Sequence, residues 1–135
     1  RALSPQEAAI IADGGTDQQA GDYAGKKFMP GRGYFACKRC GNCLYFAAAK
    51  FVFCPIWSSF DGCCSGSVRT KLEDDGRVEV ACAKCEGHLG HVFEEGSAPR
   101  TGQRQCVNDS SIQYVMFDPP EGAAEGGPLE LPRAA

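Results

Sequence analysis

Residues 82–108 read C-A-K-C-E-G-H-L-G-H-V-F-E-E-G-S-A-P-R-T-G-Q-R-Q-C-V-N. The stretch opens on a Cys-x-x-Cys pair, Cys82 and Cys85, and continues through the only two histidines of the chain, His88 and His91. It closes on an isolated cysteine two residues before an asparagine, Cys106 and Asn108. A nucleophilic thiolate needs a proton donor, a charge that favours its ionised form and a rigid frame. One segment offers all three.

The frame is completed upstream. Cys37-Lys38-Arg39-Cys40 forms a second Cys-x-x-Cys knuckle, followed by Gly41, which suits a tight turn. Two knuckles separated by a long loop supply four thiolates, the donor set of a structural zinc site. Such a site is closed and has no open position for substrate. It would fasten two distant hairpins together and couple metal binding to folding.

Cys106 stands outside both knuckles, on a predicted strand after Arg104, whose charge would favour a thiolate. His88 and His91 are three residues apart, so a regular strand would aim them at opposite faces. Gly90 permits a bulge that brings both to one site. By composition alone a Cys/His pair fits a protease, a transferase or a redox enzyme.

Nine cysteines is an odd count for a fully paired disulfide scaffold. We read four ligands and several free thiols in a reducing compartment, cytoplasmic or mitochondrial, with no targeting segment visible. The chain carries 14 basic and 17 acidic residues. Asp118, Glu121, Glu125, Glu130 and Arg133 lie past residue 117, which leaves the body balanced. A balanced body argues against a nucleic-acid partner, and Lys26, Lys27, Arg32, Lys38 and Arg39 read as solvated surface. No apolar run is long enough for a membrane span.

Ser4-Pro5-Gln6-Glu7 is a capping box opening a short helix that Gly14-Gly15 would end. Residues 16–32 read as loop. Eight short strands follow, at Gly33–Cys37, Cys43–Phe46, Ala49–Phe53, Val68–Leu72, Arg77–Cys82, His91–Glu94, Arg104–Val107 and Ile112–Phe117, with Glu73-Asp74-Asp75-Gly76 as a hairpin turn. The expectation is a mainly antiparallel β domain over residues 1–117 and a disordered tail over 118–135, rich in Gly, Pro, Ala and Glu. Cys54-Pro55-Ile56-Trp57-Ser58-Ser59-Phe60, with the only tryptophan, reads as a loop carrying a core aromatic. Cys54, Cys63 and Cys64 are spare thiols, and Cys43 reads as a small buried residue.

These segments together resemble the methionine-R-sulfoxide reductases of the B type. The resemblance rests on Tyr34-Phe35-Ala36-Cys37-Lys38-Arg39-Cys40-Gly41, Lys50-Phe51, Trp57-Ser58-Ser59-Phe60 and Arg77–Cys85. Its most specific parts are His88-Leu89-Gly90-His91-Val92-Phe93 and Thr101–Asn108. It implies two antiparallel β-sheets (a β-tent) and zinc held by Cys37, Cys40, Cys82 and Cys85. It implies reduction of methionine-R-sulfoxide, free or in oxidised proteins, by a chain acting as a monomer.

By the same resemblance Cys106 attacks the sulfoxide sulfur, while His91, helped by His88, supplies the proton. Asn108 and Arg104 orient the site, and Trp57, Phe60 and Glu95 contact substrate. Oxidised Cys106 would pass to a disulfide that a thioredoxin-like dithiol reduces. Family members often place the resolving cysteine two residues before the tryptophan. Here that position is Pro55, which points to Cys54, with Cys63 or Cys64 as substitutes. Gln105 stands where a tyrosine is usual, and Glu95 where an aspartate is common. The competing reading from another class is a zinc-stapled binding module, which has no need of a reactive Cys106.

Overall fold

The computed structural model of the chain describes residues 2–94 and 98–132. Helix α1, Pro5–Ile11, begins as its sequence dictates: the Ser4 hydroxyl accepts from the Glu7 N–H, and the Glu7 carboxylate accepts from the Ser4 N–H. It buries Ile10 and Ile11. Gly87 in the second knuckle is bare because a Cβ there would strike Ile11.

Among the described residues, nine strands form two antiparallel sheets. The smaller has the order β2-β1-β9, built from Cys43–Phe46, Tyr34–Cys37 and Ile112–Val115. The larger has the order β3-β4-β8-β7-β6-β5, from Lys50–Phe51, Ser58–Phe60, Gln103–Val107, His88–Glu94, Val78–Cys82 and Val68–Leu72. The sheets meet through aromatic rings. Phe60 of β4 stacks on Tyr45 of β2, with centroids 4.2 Å apart, and takes Phe35 of β1 edge-on at 5.3 Å. Leu44, Val80, Leu89, Val107 and Ile112 fill the rest of this interior. Offset and edge-to-face pairs add about 0.5–1.5 kcal/mol each to the burial of their area.

The strand reading departs from the structure in several places. Ser58–Phe60, read as loop, is β4 and pairs with β8, setting Ser59 opposite Cys106. Two serines hide the strand from a hydrophobic pattern, yet the Ser58 hydroxyl is buried and donates to Asp109 at 2.7 Å. Strand β7 starts at His88 rather than His91, with an irregularity between its Val80–Gly90 and Ala81–His88 pairings. Strand β9 stops at Val115, and Met116 and Phe117 are exposed.

The tail, expected to be disordered, lies along the body over its described residues 118–132. Glu125 bridges Cys64, and Ser65 N–H donates to the Ala124 carbonyl at 2.7 Å. Gln103 clasps Leu129 with both ends of its amide, and Leu129 and Leu131 pack on the core. Two leucines in a Gly/Pro-rich segment were enough apolar surface to hold it. Arg100 links the tail to the residue that follows β4 by pairing with both Asp61 and Glu125.

Candidate active site and metal cluster

The two knuckles occupy equivalent places, one in the β1–β2 turn and one in the β6–β7 turn, so the sheets bring them together. All four sulfurs of Cys37, Cys40, Cys82 and Cys85 lie within 4.8 Å of one another, and the Cys37–Cys85 and Cys40–Cys82 distances are both 3.6 Å. A tetrahedral ion with metal–sulfur bonds of about 2.3 Å has sulfur–sulfur edges of about 3.8 Å. The cluster therefore has the spacing to hold such an ion. Asn42 Nδ2 sits 3.6 Å from Cys82 Sγ, and Arg39 donates to the Cys85 carbonyl at 2.7 Å, so two side chains from the first knuckle hold the second. As free thiols, Cys37 is pushed up by its hydrogen bond with Cys82 and by burial, while Cys82 is held down at about 4 by the same hydrogen bond.

The catalytic candidates sit on strands β7 and β8 of the larger sheet. Strands β7 and β8 pair His91 with Cys106 directly, so the two side chains share a face. Ser59 of β4 is the partner of Cys106 on its other flank, with its Oγ 4.0 Å from the sulfur. This face floors a cavity of about 250 Å³. Its walls include Trp57, Phe53, Phe93, Arg104 and Cys54.

The bulge inferred at Gly90 is present, and it turns both imidazoles the same way, with ring centroids 5.6 Å apart. A Cβ on Gly90 would overlap the Cys106 carbonyl, so only glycine lets β7 lie this close to β8. Each ring is held by a carboxylate from the neighbouring hairpin. His91 Nε2 contacts Glu73 at 2.7 Å, and His88 Nδ1 contacts Glu79 at 2.8 Å. His91 lines the cavity; His88 does not, being only 5% exposed with its Nε2 sealed and unpartnered.

Arg104 is buried with its guanidinium carbon 3.8 Å from the Phe53 ring centroid and 4.5 Å from that of Phe93. The sandwich fixes the cation beside Cys106. Its pull is in the expected direction, but burial is stronger. Desolvation pushes the Cys106 thiol above its ordinary value, and Arg104 and Ser59 offset that only in part.

Asn108 acts as a bracket. Its Oδ1 accepts from the Asp17 N–H at 2.9 Å and its Nδ2 donates to the Leu89 carbonyl at 3.0 Å. Asp17 in turn takes the Trp57 indole N–H on its carbonyl at 3.0 Å and both donors of Ser110 on its carboxylate. The loop at 16–17 is thus what seats the tryptophan.

Of the candidate residues, Cys106, His91, Asn108, Arg104, Cys54 and Trp57 converge on one cavity. Phe60 does not: it is fully buried between the sheets, because period two along β4 puts it on the face opposite Ser59. Glu95 lies outside the described residues. Cys63 and Cys64 are buried, and Cys63 interacts with Gln105, whose amide receives the Tyr45 hydroxyl on the core face of β8. That face is turned away from Cys106. Glu73, Glu79, Ser59 and Asp17 were missed, since only the register and the folded loop bring them near the site.

Comparison with known proteins agrees with this geometry. Residues 3–116 match the SelR domain. The chain is 37% identical over 118 residues to peptide methionine sulfoxide reductase B8 of Arabidopsis thaliana, covering 86% of this chain and 81% of that protein. It is 42% identical to peptide methionine sulfoxide reductase MsrB of Acinetobacter baumannii, over 84% and 82% of the two chains. It is 34% identical to the protein of that name from Methanosarcina barkeri, over 84% and 81%. With the domain matched over nearly its whole body, the chain belongs to the SelR family, the B-type methionine-R-sulfoxide reductases.

Proposed function

We propose that the chain is a peptide-methionine (R)-S-oxide reductase, returning methionine-R-sulfoxide, free or in oxidised proteins, to methionine. The observation that carries this reading is the direct pairing of His91 with Cys106 on the floor of a cavity walled by Trp57. The thioether end of the substrate would lie against the indole, with its S–O group toward the imidazole. The Cys106 sulfur attacks the sulfoxide sulfur while His91 delivers a proton to the sulfoxide oxygen and takes the thiol proton in its place. The oxygen passes to Cys106, so a thiol and a sulfoxide become a sulfenic acid and a thioether. The Glu73 carboxylate accepts the Nε2–H of His91 and keeps the ring in place for this transfer.

Cys54 shares the cavity with Cys106. Its thiol would displace water from the sulfenic acid to give a Cys54–Cys106 disulfide, which a thioredoxin-like dithiol then reduces by exchange. The core placement of Cys63 and Cys64 favours Cys54 over either. The four-sulfur cluster would hold zinc as a closed structural site, supplying rigidity and no chemistry of its own. The catalytic set is complete within one chain, which supports a monomer. A thiolate-held metal and a disulfide that must be reduced each cycle support a reducing compartment, cytoplasmic or mitochondrial.

The test is an assay with the separate R and S epimers of methionine sulfoxide and a dithiol. Turnover of R alone, lost in Cys106→Ser with metal content and fold intact, is expected. Activity surviving in Cys106→Ser would remove the nucleophile, and no turnover of either epimer would favour a binding role.

A further inference from the structure

Away from the cavity, the chain holds another two thiols in contact. Cys43 opens β2 and Cys64 precedes β5, and their sulfurs lie 3.3 Å apart. Neither belongs to the four-sulfur cluster or to the cavity. The backbones on either side are already tied, because Cys64 N–H donates to the Leu44 carbonyl at 2.8 Å and the Ser67 hydroxyl donates to the same oxygen at 3.0 Å. A disulfide has an S–S length of about 2.05 Å, so about 1.3 Å of approach closes the 3.3 Å gap. Side-chain rotation supplies that without moving either strand.

Burial sets the order of events. Cys64 is buried, whereas Cys43 is half-buried and reachable from solvent. We propose that Cys43 and Cys64 are a second redox-active pair, closing to a reversible disulfide when the protein meets a hydroperoxide. Cys43 attacks the peroxide oxygen and becomes a sulfenic acid, releasing water or an alcohol. The Cys64 sulfur then attacks the Cys43 sulfur, its proton leaves with the hydroxyl as water, and the S–S bond forms. Two thiols are oxidised and one peroxide is reduced. Both sulfurs are pushed up by burial, which makes the pair slower than an exposed thiolate but holds its partners in register.

The bond would join the edge strand of the smaller sheet to the segment that receives the tail, where Gly126 N–H donates to the Cys63 carbonyl at 2.9 Å. It neighbours the first knuckle through Asn42 and is independent of the Cys54–Cys106 couple proposed above. The hydroperoxides that convert methionine to its sulfoxide are the oxidants that would close it.

The experiment uses the full, metal-loaded chain carrying Cys54→Ser and Cys106→Ser, so that only this pair and the buried thiols remain to react. After hydrogen peroxide and rapid alkylation, non-reducing peptide mapping should find Cys43 joined to Cys64 and two hydrogens lighter than the sum of the peptides. Fragmentation distinguishes Cys64 from Cys63. Dithiothreitol should restore both thiols, and the oxidised form should melt at a higher temperature than the reduced one. Adding Cys43→Ser should remove both effects. The proposal is overturned if Cys43 proceeds unbridged to a sulfinic acid, if Cys64 pairs elsewhere, or if both stay free while the knuckle cysteines oxidise.

Discussion

At Cys106, burial and the Arg104 guanidinium pull one proton in opposite directions, and burial wins. The consequence is measurable. A free cysteine titrates near about 8.5, and the rate of alkylation tracks the thiolate. Because the folded thiol lies higher, alkylation of Cys106 should keep rising with pH past that point instead of levelling near neutrality. Arg104→Met should shift the profile further up and slow alkylation at pH 8, while the other thiols keep their rates. A profile that levels below pH 7 would mean a cation stronger than this one acts on the sulfur. For stability, folding favours the neutral thiol, so this group's contribution is intact below the unfolded-state value and is lost as pH rises from there through the higher folded-state value. Glu73 is the companion case. It holds His91 from a hairpin tip, so Glu73→Ala frees the ring, and misplacement on that scale costs about ten- to a hundredfold in rate. We expect kcat to fall while KM changes little, with Glu73→Gln retaining most of the rate because its amide oxygen still accepts. Equal loss in both variants would show that the negative charge, and not the hydrogen bond, is what matters.

Strand β7 carries the geometry of the site at the next scale. Its irregularity at Leu89–Gly90 lets His88 and His91 share a side, and its missing Cβ lets it close on Cys106. Gly90→Ala should force β7 and β8 apart, costing about 1–3 kcal/mol as other insertions into packed regions do. Because the displaced pair is His91 and Cys106, kcat/KM should fall by more than that energy accounts for. A urea midpoint and a rate measured on one preparation test both halves, and unchanged activity would place the bulge outside the chemistry. The bulge was legible because two histidines flanking a glycine leave few alternatives, and the strands of alternating apolar residues were legible for the same kind of reason. Strand β4 was not. Ser58 and Ser59 satisfy their hydroxyls inside the fold, on Asp109 and beside Cys106, so burial there leaves no hydrophobic mark. Phe60 was then misplaced, since a loop residue can face either way while a strand residue opposite Gln105 must face the core. The partners of the imidazoles were invisible for a further reason. Glu73 looks like any hairpin residue until the register of β5, β6 and β7 brings it to His91.

Across the whole molecule the two sheets share one interior, and the four cysteines bring their knuckle turns together. Knuckle two connects β6 to β7 and therefore stands at the head of the strand that holds His88 and His91. Structural zinc in small domains supplies about 10–16 kcal/mol of apparent binding energy, while a whole domain is stable by about 5–15 kcal/mol. Removal of the ion should therefore not merely loosen the end of the sheet but take away most of the net stability. As free thiols the four sulfurs would sit close together, with Cys37 and Cys40 held protonated by burial and by their neighbours, which is a poor replacement for a cation. We expect one equivalent of zinc per chain by elemental analysis. Chelation together with Cys40→Ser should give a chain that unfolds at or below 37 °C and reacts with alkylating agents at every cysteine, including the buried Cys63 and Cys64. Loss of activity on chelation should parallel the loss of β-sheet signal, since none of the four ligand cysteines lines the cavity. If activity vanished while the fold and melting temperature held, the ion would have to touch the chemistry, and the closed four-sulfur assignment would fail.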